Sequence, residues 1–569
     1  MRCSLRTPAL LALGAVVLAA CKGPMPDQQA TPAPAVAEAP ALAPPAPPAP
    51  PPPPSYAPAA PRSVTVTGST IAAPQGMMKR APGFIVIAPP QADKFPDKEA
   101  NATQLVAEQP VSTFSADVDT ASYAFVRRQL TGGRLPPPQA VRVEEMVNYF
   151  PYRYAAPKAR NEPFAVTTEV MPSPWKTGNQ LLHVAVRGFD LDQAERPPLN
   201  LVLLIDVSGS MGGPDRLPLL QQGLRLFAET LRDTDRVAIV TYANGTEVAL
   251  EPTLGRDKQK IVDALDGLRA AGGTAGGDGL QRAYALAERH RDPKAVNRVI
   301  LATDGDFNIG ITDPKQLERF IADKRKSGVY LSVFGVGTGN LNDALIQRLT
   351  QSGNGNAAYI DSLLEARKAM QEELGSTMFP IANDVKMQVE FNPRQVAAYR
   401  LIGYETRMLA RQDFKDDKVD AGDMGAGHTV TAIYEITPAS EAGKLVDPLR
   451  YGDGKKAAPA SKGDELCFVK VRYKLPGQSA SRETSHAVRA ASVRKELAAA
   501  PEDARFAVAV AAFGQRLRGE APVADYSYAD IAALANDARG KDAEGYRAEF
   551  VRLVRMAEAL GKTGQLGQP

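Results

Sequence analysis

Leu199-Asn200-Leu201-Val202-Leu203-Leu204-Ile205-Asp206-Val207-Ser208-Gly209-Ser210-Met211 decides the fold. The apolar run 199–205 predicts a buried strand, and its C-terminal tip carries one carboxylate and two hydroxyls at alternate positions. Two later loops offer matching groups: Gly272-Gly273-Thr274, and Thr303-Asp304-Gly305-Asp306 after the strand-like segment 298–302. Strands predicted at 199–205, 236–241, 298–302 and 330–335 alternate with helices at 217–231, 258–270, 279–289, 314–327 and 343–350. That alternation is the pattern of a doubly wound parallel sheet. Asp206, Ser208, Ser210, Thr274 and Asp304 then come from loops at the C-terminal edge of the sheet, where open α/β folds bind ligands. An oxygen-only set selects a hard divalent cation, Mg2+ ahead of Zn2+ or Cu2+.

This constellation resembles the metal-ion-dependent adhesion site of von Willebrand factor type A domains. There a D-x-S-x-S loop, a Thr of a second loop and an Asp of a third hold the ion, and the matching positions here are Asp206, Ser208, Ser210, Thr274 and Asp304. Three further segments, 112–123 (STFSADVDTASY), 143–150 (VEEMVNYF) and 301–308 (LATDGDFN), are similar to those of bacterial YfbK-like lipoproteins. Those proteins carry an extra N-terminal module, the type A domain and a C-terminal region of unassigned role, and the likeness runs over roughly residues 100 to 565. The resemblance implies an Mg2+ or Mn2+ ion contacted directly by the Ser and Thr hydroxyls, with the carboxylates often acting through water. One position on the ion stays open for an Asp or Glu of a protein partner, because anionic oxygen best satisfies an under-neutralised cation.

At 569 residues the chain is too long for one core. Its formal net charge of +3 gives no basic face for nucleic acid. Arg2 and Arg6 followed by the short apolar run 10–20 read as an export signal rather than a membrane span. The run ends Leu18-Ala19-Ala20-Cys21, which resembles a lipobox, so Cys21 is expected to be acylated and to become the mature N-terminus. Lys22 follows rather than Asp, which points to the outer membrane of a bacterial envelope. Of the three cysteines only Cys467 then remains, in a strand pattern that predicts a buried free thiol and no intrachain disulfide.

The organisation expected is a signal peptide (1–20), a Pro/Ala-rich tether (21–100), a helical N-terminal module (101–160), two strands of a β-module (161–198), the type A domain (199–378), a β-rich module (379–484) and C-terminal helices (485–569). The Pro-rich residues favour extended polyproline II, and forty of them reach on the order of 100 Å. The strands on either side of the type A domain are expected to form one β-sandwich split in sequence, with the C-terminal helices packed back on it; a separate helical module is the alternative. Asp119 or Thr120 is expected to cap a helix at 120–130, which explains Asp119 more cheaply than a second metal site with Asp117. The segment Val64–Ile71 reads as a linker strand, or less simply as a β peptide that pairs with a partner.

An enzyme is disfavoured. The four histidines are scattered, no H-E-x-x-H or Walker A motif is present, and Gly335-Val336-Gly337-Thr338-Gly339 lacks dinucleotide spacing. A metal-dependent hydrolase would need a general base that does not accompany the five oxygens. The expectation is therefore a membrane-anchored binding protein, with an envelope scaffold whose ion only stabilises loops as the alternative.

Overall fold

In a computed structural model of the chain, the structure describes residues 93–116, 119–158, 162–192, 195–273, 278–305, 313–337, 341–373, 378–444 and 463–565. The export signal, Cys21, residues 21–92 of the expected tether and Val64–Ile71 lie outside these residues, whereas residues 93–100, also expected as tether, are packed: the Lys94 amide donates to the Leu341 carbonyl at 2.9 Å and the Phe95 ring lies 4.9 Å from that of Phe125. Strands β1 (Gln104–Leu105) and β2 (Val111–Ser115) lead into helices α1 (Ala121–Thr131) and α2 (Val143–Asn148). The antiparallel pair β3 (Phe164–Pro172) and β4 (Gln180–Gly188) follows.

The α/β unit comes next. Its strands β5 (Leu199–Asp206), β6 (Arg236–Tyr242), β7 (Thr246–Leu254), β8 (Val296–Thr303), β9 (Val329–Val336) and β10 (Ala357–Ile360) form one sheet in the order β10-β9-β8-β5-β6-β7. Neighbours are parallel except β7, which runs antiparallel to β6 at the edge. Read from β7, this is the doubly wound order 3-2-1-4-5-6, whose direction of winding switches between β5 and β8. Alternate residues of β5 serve opposite faces. Leu201, Leu203 and Ile205 share a core with Leu220, Leu224 and Phe227 of α3 (Leu217–Thr230) and Ile261 of α4 (Lys258–Gly267). Val202 and Leu204 join Tyr284 of α5 (Gly279–Arg289), Ile321 of α6 (Pro314–Lys326) and Leu349 of α7 (Asp343–Ser352). Each such side chain contributes roughly 1.5–3 kcal/mol, so burial on two faces fixes the strand that ends in Asp206. Helix α8 (Leu363–Arg367) crosses α3 at Gly223, where a Cβ would stand 2.7 Å from that of Ala366.

Strands β11 (Pro380–Phe391), β12 (Val396–Ile402), β13 (Met424–Gly425), β14 (Thr429–Pro438), β15 (Glu465–Lys474) and β16 (Ser481–Arg489) build two antiparallel sheets with the N-terminal strands. One is ordered β1-β12-β14-β4-β3; the other is β13-β11-β15-β16, with β2 also on β11. β4 is in register with β14 from Arg187↔Thr429 to Gln180↔Ile436, so strands before and after the α/β unit lie in one sheet. The inner faces of the two sheets meet through Phe391, which stacks on Tyr399 at 4.3 Å and meets Tyr434 at 5.4 Å. The α/β unit thus leaves the sandwich after β4 and returns to it at β11.

The outer face of the first sheet is covered by helices. Met171, Leu181, Ala185 and Ile433 share a core with Phe506 of α9 (Glu502–Arg518), Ile531 of α10 (Tyr528–Asp537) and Phe550 of α11 (Tyr546–Gln565). Tyr123 and Val126 of α1 and Met146 of α2 enter the same core, so N- and C-terminal helices form one layer on the sandwich. Asp119 does not cap α1: the N-cap is Thr120, whose side chain makes no capping hydrogen bond. The Asp119 carboxylate is buried and accepts hydrogen bonds from the Ala357 amide (2.7 Å) and from Arg407 Nη2 (2.9 Å). A buried carboxylate needs donors of that strength, which a solvent-facing cap does not supply. Asp117 lies outside the described residues. Cys467 is buried and free, and burial pushes its thiol up to about 12, as expected of an inert core cysteine. No helix among the described residues is long and apolar enough to cross a membrane.

Candidate metal centre

The adjacent tips of β5 and β8, at the switch point of the sheet, carry Asp206 and Asp304. Asp206 ends β5, and its Oδ1 accepts the Ser208 amide at 2.8 Å, which bends the chain back over the strand end. Ser208 and Ser210 then bring their hydroxyl oxygens within 3.0 Å of each other. On the other side Thr303 Oγ1 stands 3.5 Å from Asp206 Oδ2 and accepts the Gly305 amide at 3.1 Å, which shapes the turn holding Asp304. Asp206, Ser208 and Asp304 are 0%, 1% and 1% exposed, whereas Ser210 is half-buried. The second loop runs alongside: the Ala271 amide donates to the Val207 carbonyl (2.8 Å), and the Gly209 amide to the Gly272 carbonyl (2.9 Å). Gly272 has φ +81°, and a Cβ there would press into Asn244, whose Oδ1 accepts the Gly273 amide at 2.6 Å. Thr274 follows directly in sequence and lies outside the described residues, as do Asp306 and Asn308.

Four of the five expected oxygens therefore meet at one edge of the sheet. Burial raises the Asp206 carboxyl pKa, bonds from Ser208 oppose the rise, and the Asp304 charge adds to it. Two buried carboxylates beside two hydroxyls make an oxygen-only donor set, and such donors suit Mg2+ or Mn2+. The donor set fits such an ion.

Sequence reasoning missed several residues here. Tyr242, at the tip of β6, is fully buried beside Asp206 and Thr303. Arg216 donates through Nη1 to the Ser210 carbonyl and to Asp304 Oδ2, the latter at 3.2 Å. Only its position six residues after Ser210, at the start of α3, could have marked it. Its neighbour Asp215 pairs with Arg128 of α1, so the helical layer touches the loop that carries the serines. A cavity of about 420 Å³ opens elsewhere, against the first residues of β8 and β9, and is lined by Arg298, Tyr330, Arg407 and His428. Arg407 there is committed to Asp119, and the cavity shares no residue with the Asp206 site.

Residues 201–306 match the family described as von Willebrand factor type A domain, residues 89–183 the one described as von Willebrand factor, and residues 376–560 the one described as uncharacterized protein YfbK, C-terminal. Uncharacterized protein YfbK of Escherichia coli (strain K12) is 43% identical over 505 residues, which cover 86% of this chain and 87% of that protein. Uncharacterized protein sll0103 of Synechocystis is 28% identical over 190 residues, 33% of this chain and 44% of that protein. Among solved structures, the von Willebrand factor type A protein from Catenulispora acidiphila is 17% identical, with a TM-score of 0.39 over 69% of this chain and 89% of that one. Domains of this type generally mediate protein–protein interaction and commonly bind a divalent metal at such a site. The α/β unit is thus a type A domain, and identity sustained across the flanking sandwich and helices settles the rest: the chain belongs to the YfbK family of bacterial proteins.

Proposed function

We propose that this protein captures a protein ligand through a divalent cation, Mg2+ or Mn2+, held by Asp206, Ser208, Ser210, Thr274 and Asp304. The observation that supports the reading is the meeting of two buried carboxylates and two hydroxyls at the switch point of the sheet. When bound, the ion offers an open position to a partner's Asp or Glu. The chain's own residues do the rest. Asp206 fixes the serine loop through the Ser208 amide, Thr303 shapes the turn under Asp304, and the half-buried Ser210 keeps the site open to an incoming side chain. The lipobox-like Leu18-Ala19-Ala20-Cys21 and the Pro/Ala-rich stretch that follows support a lipid anchor at Cys21 and a tether at the bacterial envelope, with the outer membrane as the proposed address.

The test is capture from an envelope extract with Mg2+ and with EDTA, using the wild-type chain and Ser208→Ala. A partner should be retained with Mg2+, lost in EDTA and lost by the variant. A partner held equally in all three conditions would mean that the ion is not the recognition element, and a scaffold role would replace this reading.

A further inference from the structure

Arg216 lies across two of the loops that form the metal centre. Its Nη1 reaches both the Ser210 carbonyl and Asp304 Oδ2, and its side chain is 20% exposed against 1% for Asp304. The position is built. Gly337, at the end of β9, has φ +73°, and a Cβ there would stand 2.9 Å from Arg216 Cγ and 3.0 Å from Cδ. The arginine stem therefore lies in a seat that only glycine leaves open. The Tyr359 hydroxyl of β10 donates to the Gly337 carbonyl and holds that seat in place. The adjacent carboxylate, Asp215, is engaged by Arg128, while Arg216 reaches Asp304 within the site.

We propose that Arg216 is the resident counter-cation of the metal centre: it neutralises Asp304 and ties it to the Ser210 loop before an ion arrives, and it competes with the ion for that charge. This rests on the metal reading given above. The physical reason is that a buried carboxylate without an opposite charge is strongly destabilising. With Asp206 and Asp304 both buried, a guanidinium on one of them keeps the loops folded whether or not metal is present. The same guanidinium leaves the loaded site with an excess of positive charge, which suits a ligand that arrives as a carboxylate rather than as a neutral amide.

The test compares the wild-type chain with Arg216→Met, Arg216→Lys and Gly337→Ala. Thermal unfolding is followed in EDTA and in 10 mM Mg2+, a condition of the assay, and Mn2+ affinity is measured by titration calorimetry. Arg216→Met removes the charge, so Mg2+ should raise its melting temperature by about 3 °C more than it raises that of the wild type. Its Mn2+ affinity should rise about tenfold, since the competing charge is gone. Arg216→Lys keeps the charge and should stay close to wild type in both measurements. Gly337→Ala displaces the arginine while leaving every oxygen donor, so it should follow Arg216→Met in the Mg2+-dependent difference even if it starts from a lower stability. Equal Mg2+ effects in wild type and Arg216→Met, or weaker Mn2+ binding by Arg216→Met, would overturn the proposal while leaving the metal site standing. Absence of Mn2+ binding in the wild type would remove the metal reading, and this inference with it.

Discussion

Arg127 of α1 is the residue whose loss should be felt most widely. Its guanidinium donates to Asp361 Oδ2 at 2.8 Å, Glu365 Oε2 at 2.7 Å, Glu549 Oε1 at 3.1 Å and the Tyr149 hydroxyl at 3.0 Å. These partners lie just after β10, on α8, on α11 and just after α2, so one side chain joins the type A domain to both parts of the helical layer. Arg127→Met keeps most of the volume and removes the charge. Side-chain exposures of 5% for Asp361 and 1% for Glu365 mean that water cannot replace it. Breaking a buried pair of this kind costs about 3–5 kcal/mol. Protonation of one carboxylate limits the loss, and the lost contact with the Tyr149 ring, 5.8 Å from the guanidinium carbon, adds to it. We expect a net destabilisation of about 4 kcal/mol. Urea unfolding followed by circular dichroism and by the fluorescence of Trp175 would measure it. The double variant Arg127→Met/Glu365→Gln should recover a large part, because it removes the stranded charge as well. A loss below about 1 kcal/mol, or no recovery in the double variant, would refute the argument that this cluster is a buried, interdependent unit.

Three other outcomes are expected, two from the structure and one from the sequence. Asp304→Asn should abolish Mn2+ binding in calorimetry while leaving the far-ultraviolet dichroism native-like, because the two-sided core of β5 and β8 and not the site supplies the apolar burial; a globally unfolded variant would count against this. Cys21→Ser should stop lipid labelling and move the protein from membrane to soluble fractions, and unchanged membrane association would sink the anchor. His183, buried on β4, is lowered by burial from 6.5 to about 4, so between those values the unfolded state binds the extra proton and stability falls as pH falls, by about 3 kcal/mol in all. Glu144 is raised by burial from 4.5 to about 7, which gives the opposite slope and masks this one. The stability gap between wild type and His183→Gln should therefore narrow by about 3 kcal/mol from pH 7 to pH 4, and a gap constant with pH would show that His183 does not resist protonation.

The parallel sheet was legible because its central strands are buried on both faces and read as continuous apolar runs. Gly279–Arg289 was predicted to the residue, and the four other helices expected in the type A domain lie within a few residues of their predicted bounds, while α8 was not foreseen. What stayed hidden shares a cause. β7 carries Glu247, Glu251 and Pro252 and is half-exposed, β10 has only four residues, and β16 is a polar edge strand that runs through Arg489, where helix was expected from about 485. In each the core imposes too little alternation to show in sequence. At the site, the spacing of Asp206, Ser208 and Ser210 was readable because all three sit on one loop. Arg216 and Gly337 were not, since their meeting depends on β9 lying two strands from β5, a fact of topology rather than of local sequence.

The return of the chain to the sandwich sets a timetable. β4 needs β14 as its neighbour, yet Thr429 is made roughly 240 residues after Arg187, about 12–50 s later at ordinary synthesis rates. The type A domain, whose strands pair within their own segment, has everything it needs during that interval. The β3–β4 hairpin does not: its apolar residues Val170, Leu182, Val184 and Val186 and the free edge of β4 must wait for a partner not yet made. Nascent chains of this protein therefore pass through a stage in which a finished type A domain hangs beside an unfinished sheet, and substitutions in β14 should first be noticed as aggregation of newly made protein rather than as a change in the mature fold.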